Sequence, residues 1–242
     1  MRILIISDIH GNLNALNAVL EDAGVVDAAW CLGDLVGYGP NPNECIERAR
    51  SLPNFRCVKG NHDAAAAGEI PLEAFNLDAR LSAEWNQINI TSENLEYLSS
   101  LPSTWTENKV TLVHGSPRDP VWEYILDWYS AYLNFPHIPT DICLVGHTHI
   151  PMIFNLEPGD QDEFVWMQVP SGREEVPSKA ILNPGSVGQP RDQDARAAYA
   201  IYESELGIWE AHRVVYNVSE TQALIRQSGL PERNASRLEG GW

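Results

Sequence analysis

Five short blocks constrain this chain more than any other feature: Asp8-Ile9-His10, Gly33-Asp34, Gly60-Asn61-His62-Asp63, His114-Gly115 and Gly146-His147-Thr148-His149. They gather five of its seven histidines. Each sets a metal-capable side chain beside glycine or a short polar turn. Apolar runs such as Arg2 to Ile6, Leu112 to Val113 and Ile142 to Val145 lead into them. This is the layout of loops at strand ends. In an open α/β sheet, ligands bind in the crevice outside the carboxyl ends of the strands, so residues distant in sequence converge there. A two-metal site is the expected product.

The pattern around the blocks agrees with an α/β chain. Arg2 to Ser7 reads as a buried strand, after which Asn12 caps a helix with Leu13, Leu16 and Leu20 on one face. Ala28 to Leu32 starts a second such unit, whose helix has a cap, a first-turn proline and a carboxylate in Asn41-Pro42-Asn43-Glu44. Phe55 to Lys59 supplies a third strand. From Ala64 to about Leu101 the pattern turns helical, with Leu81, Trp85 and Ile88 on one face and Leu95 and Leu98 on another. This segment is expected to be a helical insert beside the site. Val110 to Val113 and Ile142 to Val145 resume the strands. A second sheet is expected from Ile153 to Leu156, Phe164 to Val169, Ala180 to Leu182, Tyr199 to Tyr202 and Ile208 to Val214. Glu157 to Asp162 and Ser171 to Ser178 read as exposed loops. Ser219 with Gln222 forms a capping box for a short last helix, which Gly229-Leu230-Pro231 stops, leaving a polar, flexible tail from Pro231 to Trp242.

With 242 residues and 44% hydrophobic content, one domain spanning residues 1–242 can bury an ample core. The formal charge of −17 argues against a surface that tracks long nucleic acid, since that affinity comes from clustered Lys and Arg. A small substrate is expected. No run approaches bilayer-spanning length and no charged leader precedes an apolar stretch, so a cytoplasmic location without membrane contact is expected. Cys31, Cys45, Cys57 and Cys143 lack paired short spacing, and three fall in expected strands, which reads as buried thiols.

Asp8 and His10 alternate at a strand end, so a modest turn aims both at one ion, and His147 and His149 repeat the geometry. Asp34 has two oxygens and can bridge two ions. Asn61 adds an amide oxygen and His114 another imidazole. These N and O ligands without sulfur suit Mn, Fe, Zn or Co, as two divalent or trivalent ions. Two divalent ions against two carboxylates leave positive charge for a bridging hydroxide and an anionic substrate, and phosphate is the natural guest. Ions about 3.5–4 Å apart can activate the nucleophilic water and hold the phosphoryl oxygens. His62 could then protonate the leaving oxygen, with Asp63 orienting its ring.

In this order, Asp-x-His, Gly-Asp, Gly-Asn-His-Asp, His-Gly and Gly-His-Thr-His resemble the motifs of the calcineurin-like metallophosphoesterases, from Met1 to about Asp192. The resemblance implies a four-layer α/β/β/α sandwich, two mixed β-sheets flanked by helices. It also implies that Asp8, His10, Asp34 and His149 hold one metal, that Asp34, Asn61, His114 and His147 hold the other, and that His62 takes the catalytic histidine position. Asn183-Pro184-Gly185-Ser186 and Gly188-Gln189-Pro190-Arg191 resemble the smaller bacterial and archaeal phosphodiesterase branch, where the late arginine sits near substrate. One departure narrows the reading. Where the protein phosphatase branch carries an Asp-Arg pair, this chain has Gly37 and Tyr38.

Three substrate contacts are weighed against plainer roles. Asn12 is an N-cap or a phosphate contact. Arg191 binds substrate or pairs with Asp192 or Asp194. Tyr38 stacks on a base, donates to phosphate, or packs on Pro40 or Pro42. Trp85, Trp105 and Trp122 read as core, and His137 and His212 stand outside any motif. The expected activity is hydrolysis of small or nucleotide phosphodiesters, with His62 as general acid. Phosphomonoester hydrolysis (including that of phosphoproteins), dinucleoside polyphosphate hydrolysis and a non-catalytic scaffold remain as alternatives, and oligomeric state stays open.

Overall fold

The computed structural model describes residues 1–159 and 163–242. The part of the expected loop at residues 160–162 therefore lies outside the described residues. One sheet runs in the order β3 (Arg56–Cys57), β2 (Ala28–Cys31), β1 (Arg2–Ile6), β11 (Ala197–Glu203), β12 (Ile208–Val214) and β9 (Arg173–Glu175). The other runs β4 (Thr104–Glu107), β5 (Val110–Val113), β6 (Ile142–Leu144), β10 (Ala180–Asn183), β7 (Met152–Pro158) and β8 (Glu163–Gln168). Both sheets are mixed.

β1 shows why the sheets stack. Ile3 and Ile5 enter a cluster with Trp30, Leu112, Leu144 and Leu182, which fills the space between the sheets. Leu4 and Ile6 point the other way, into a cluster with α1 (Leu13–Ala23) and α2 (Pro42–Arg50) through Leu16, Val19, Cys45 and Ile46. A strand buried on both faces reads as a continuous apolar run, which explains why RILII does not alternate. On the far side, Val113, Cys143, Val145 and Phe154 meet Ala131 of α6 (Trp128–Asn134) and Phe135. The layers are helix, sheet, sheet, helix.

The expectation that every strand from Ile153 onward forms the second sheet does not hold. β7, β8 and β10 do join β5 and β6, but β11 pairs antiparallel with β1 from Arg2↔Glu203 to Ile5↔Ala200. The reason is edge satisfaction: β1 is buried and needs backbone partners on both sides, and β2 covers only one. The Ser171 to Ser178 segment likewise contains β9, which extends this sheet from β12.

Several local expectations also change. Asn12 caps α1, accepting from Ala15 N at 3.1 Å, but Asn41 precedes α2 without a side-chain cap bond. The last helices are α7 (Val218–Gln227) and α8 (Glu232–Gly240). α7 is capped by Asn217, whose Oδ1 accepts from Glu220 N, rather than by Ser219. The segment expected as a flexible tail is largely α8, whose Ala235 and Leu238 pack with Ile225 and Leu230, with Trp85 against them. α3 (Asn61–Ala66), α4 (Leu77–Asn89) and α5 (Ser92–Ser100) occupy the segment before β4. In α4 the buried side is small and polar, Ala79, Ser82, Ala83 and Asn86, while Leu81 and Ile88 face solvent. Asn86 explains the choice: its amide donates to Gly37 O at 2.7 Å, tying α4 to the site loop. All four cysteines are buried and free. Among the described residues no helix is long and apolar enough to cross a membrane.

Candidate metal centre

The five blocks meet at the carboxyl ends of both sheets. Asp8 and His10 follow β1, Asp34 follows β2, and Asn61 to Asp63 begin α3 just beyond β3. His114 follows β5, and His147 and His149 follow β6. Asp8, His10 and His149 form one buried cluster of ligand atoms, and Asp34, His114 and His147 form another. Turning consecutive side chains inward demands left-handed backbone: φ is 53° at Asp8, 50° at His10, 56° at Asp34, 63° at His147 and 61° at His149. Each such non-glycine residue costs on the order of 1 kcal/mol or more. Strain of this kind collected at one place marks a functional site.

The imidazoles are oriented by carbonyls. His10 Nδ1 faces Val36 O at 3.0 Å, His114 Nδ1 faces Leu32 O at 2.9 Å, and His149 Nδ1 faces Gln189 O at 2.6 Å. A carbonyl only accepts, so each Nδ1 carries the proton and each Nε2 presents a lone pair. His10 Nε2 then stands 3.1 Å from His149 Nε2, and His114 Nε2 stands 3.1 Å from both Asn61 Oδ1 and His147 Nδ1. The facing lone pairs of His10 and His149 repel unless a cation lies between them. Two nitrogens about 2.1 Å from one ion, at a right angle, lie roughly 3.0 Å apart.

The carboxylates agree. Asp8 Oδ2 accepts from His147 N at 3.1 Å, leaving Oδ1 without a hydrogen-bond partner and 3.3 Å from His149 Nε2. Asp34 Oδ1 accepts from His62 N, while Oδ2 has no partner and lies 3.7 Å from His10 Nε2 and 3.4 Å from His114 Nε2. Asp34 therefore stands between the clusters. These orphaned, fully buried acceptors fit divalent metal ions.

Burial dominates the electrostatics. It raises the Asp8 carboxyl to about 7, with Asp34 adding to the rise and His114 opposing it. It raises Asp34 as well, with Asp63 as the next cause. It lowers His147 to about 2 and His62 to about 3, and pushes His10 and His149 down. Those four histidines are neutral, ligand-ready imidazoles, and the carboxylates await a counter-ion.

His62 lies beside the centre, its ring 4.9 Å from His10 and 4.6 Å from Tyr38, with Phe75 on another side at 5.2 Å. Asp63 does not orient it. The Asp63 carboxylate accepts instead from Asp34 N at 2.8 Å, Gly60 N at 3.0 Å and Val36 N at 3.3 Å. It stitches the Asp34 loop to α3 through these three N–H groups, and the buried His62 Nδ1 has no hydrogen-bond partner. The contact expected for Asn12 also gives way to its plainer role. Its Oδ1 caps α1 and its Nδ2 donates to Gly188 O at 2.9 Å, so its amide is committed within the fold.

Tyr38 and Arg191 do line the pocket over the centre. Among the described residues Arg191 finds no carboxylate partner, since Asp192 pairs with Arg213 and Asp194 with Arg196. Its Nη2 reaches Gln189 Oε1 at 3.1 Å, and its guanidinium lies over the Tyr38 ring at 5.8 Å. Gly37 is the neighbour that matters: at φ 138°, a Cβ there would lie 2.5 Å from His10 Nδ1 and 3.0 Å from His62 Nδ1. No motif marks the opposite wall, Phe75, Trp122 and Tyr124, the last stacked on His147 at 3.8 Å. Trp122 is half-buried there rather than core. Asn234 on α8, whose amide donates to Tyr38 O and to Ser82 Oγ, likewise stands in no motif.

Residues 1–206 match the model of the calcineurin-like phosphoesterase superfamily domain, and the chain belongs to that family. A metallophosphoesterase structure from Sphaerobacter thermophilus is similar at 46% identity and TM-score 0.90, with each chain fully covered. An uncharacterized protein of Methanocaldococcus jannaschii is 39% identical over 98% of this chain and 96% of its own. The phosphodiesterase YfcE of Escherichia coli is 25% identical over 85% of this chain and 95% of its own. With the Asp and His clusters, this makes the protein a metal-dependent phosphoesterase.

Proposed function

We propose that the protein hydrolyses phosphodiester bonds of small or nucleotide substrates with two divalent ions. Asp8, His10, Asp34 and His149 hold one ion, and Asp34, Asn61, His114 and His147 the other. The observation that carries this reading is the pair of opposed imidazole sets, each with its lone pairs turned inward by a backbone carbonyl and each sharing the unpartnered Asp34 Oδ2. The ions supply positive charge that acidifies water and steadies the phosphoryl oxygens.

The chain's own groups do the rest. Arg191 and the Tyr38 hydroxyl, which burial keeps protonated, donate to the non-bridging oxygens. His62 is neutral in the free protein, and an anionic phosphate beside its ring raises its proton affinity, so it can deliver a proton to the leaving oxygen. Phe75 and Trp122 keep that side dry. Tyr38 supports the diester preference, because it puts a neutral hydroxyl where the protein phosphatase branch carries the arginine of its Asp-Arg pair, leaving less positive charge for a phosphomonoester dianion.

The test compares kcat/KM for matched aryl phosphate monoesters and diesters on protein stripped and reloaded with Mn, beside Asp34→Asn. Faster diester turnover that vanishes in the variant is expected. Equal or faster monoester turnover would reject the diester preference.

A further inference from the structure

Positive charge is scarce in this chain, 16 Lys and Arg against 33 Asp and Glu. Arg191, Arg233 and Arg237 nonetheless line one cavity of about 540 Å³. Tyr38, Asn76 and Tyr124 belong to its wall and also to that of the pocket over the metal centre, as does Arg191, so the two spaces adjoin.

The arginines are poorly neutralised. Among the described residues Arg191 has no carboxylate partner, and Arg233 Nε lies 3.9 Å from Asp78, the one carboxylate they bring to the cavity wall. Arg237 Nε donates to the Trp242 carbonyl, and Arg233 and Arg237 lie over the Trp242 ring at 5.6 and 5.8 Å. Burial, followed by the charge of Arg191, lowers Arg237 to about 10. Three guanidinium groups against Asp78 and the main-chain oxygen of Trp242 form a receptor for anionic oxygens, which their planar forks bind in pairs. The arrangement is anchored: Arg233 and Arg237 are one turn apart on α8, and Asn234 between them bonds both the Tyr38 carbonyl and Ser82. α8 lies outside the residues matched by the family model.

We propose that this cavity binds a second phosphate, so that the substrate carries two or more linked phosphates, one at the metal centre and the next against Arg191, Arg233 and Arg237. The proposal rests on the phosphodiesterase reading and narrows its substrate class. At the scissile bond the oxygen of water joins phosphorus, the P–O bond to the leaving group breaks, and the leaving oxygen takes the proton. The second phosphate only binds. Nucleotides and inorganic polyphosphate both offer this chemistry, and Tyr124, 45% exposed at the junction of the two spaces, offers a base a face to stack on.

The experiment measures calorimetric Kd for AMP, ADP and pyrophosphate on Mn-loaded protein, and their inhibition of aryl diester hydrolysis, for the native chain, Arg233→Gln and Arg237→Gln. The native chain should bind ADP at least about tenfold tighter than AMP, and each variant should lose most of that ratio. ADP binding more tightly than pyrophosphate assigns the subsite to nucleotides, and equal binding assigns it to polyphosphate chains. The Arg233 side chain is 62% exposed, so its removal spares the fold. Equal AMP and ADP affinity in the native chain, or an unchanged ratio in both variants, overturns the proposal. Absence of aryl diester turnover would instead reject the phosphodiesterase reading, while the calorimetric ratio still judges the arginines.

Discussion

Metal binding should be governed by the proton on Asp8. In the metal-free protein, burial holds this carboxyl near 7, against about 3.8 when exposed, so the folded chain keeps a proton that the unfolded chain has released. The consequence for stability follows from the sign. The metal-free protein gains from this group at low pH and loses stability as pH rises between those values, by about 4 kcal/mol for a shift of about 3 units. An ion reverses the sign, because it binds the carboxylate. Below about pH 7 each unit of acid should weaken apparent metal affinity about tenfold through Asp8, or about 2 kcal/mol between about pH 7 and about pH 5.5, and Asp34, which burial also raises, adds to the loss. His147 and His62, held at about 2 and about 3, stay neutral across this window and do not compete. For a chain of this length, 1 kcal/mol moves Tm by roughly 2–4 °C. Calorimetry in Mn and in chelator should therefore give a Tm difference that shrinks by roughly 4–8 °C over the window, and Asp8→Asn should flatten the trend. A Tm difference independent of pH in the native chain would refute the reasoning.

Three further outcomes follow from particular contacts. His62→Ala should keep metal content by elemental analysis, and should slow alkoxide-leaving diesters about 10²–10⁴-fold but p-nitrophenolate diesters far less. Asp63→Ala leaves three buried N–H groups without acceptors and should cost on the order of 3 kcal/mol or more by denaturant unfolding, together with weaker metal retention. Gly37→Ala should displace His10 and His62, read as lower Mn affinity with a nearly native circular dichroism spectrum.

The buried Asp and His clusters were legible because each member sits where a strong apolar run breaks at a polar turn, and local pattern carries that signal. Their bent backbone was not, since left-handed φ at Asp8 or His149 leaves no mark on composition. Sheet membership of β11 was hidden for another reason: its pairing with β1 joins residues about 200 positions apart, and periodicity reports only which faces are apolar. The α4 face misled because the helix packs through Ala79, Ala83 and Asn86 rather than through its leucines. α8 was taken for tail because its surface is charged, although two arginines of that surface turn toward a cavity rather than to bulk water.

The inward-turned imidazoles have a mechanical meaning besides the chemical one. Asp8, His10 and Asp34 hang from one sheet, while His114, His147 and His149 hang from the other, so any ion held among them rivets the sandwich shut at that rim. Among the described residues the opposite rim is fastened only at its edge, where Arg56 of β3 pairs with Glu107 of β4 at 3.7 Å. There Ile3, Trp30, Val110 and Tyr202 border a gap of about 500 Å³. Without an ion this rim would keep only its hydrogen bonds, such as His147 N to Asp8 Oδ2 and His114 Nδ1 to Leu32 O, so a bound ion should also stiffen the seam between the two halves of the molecule.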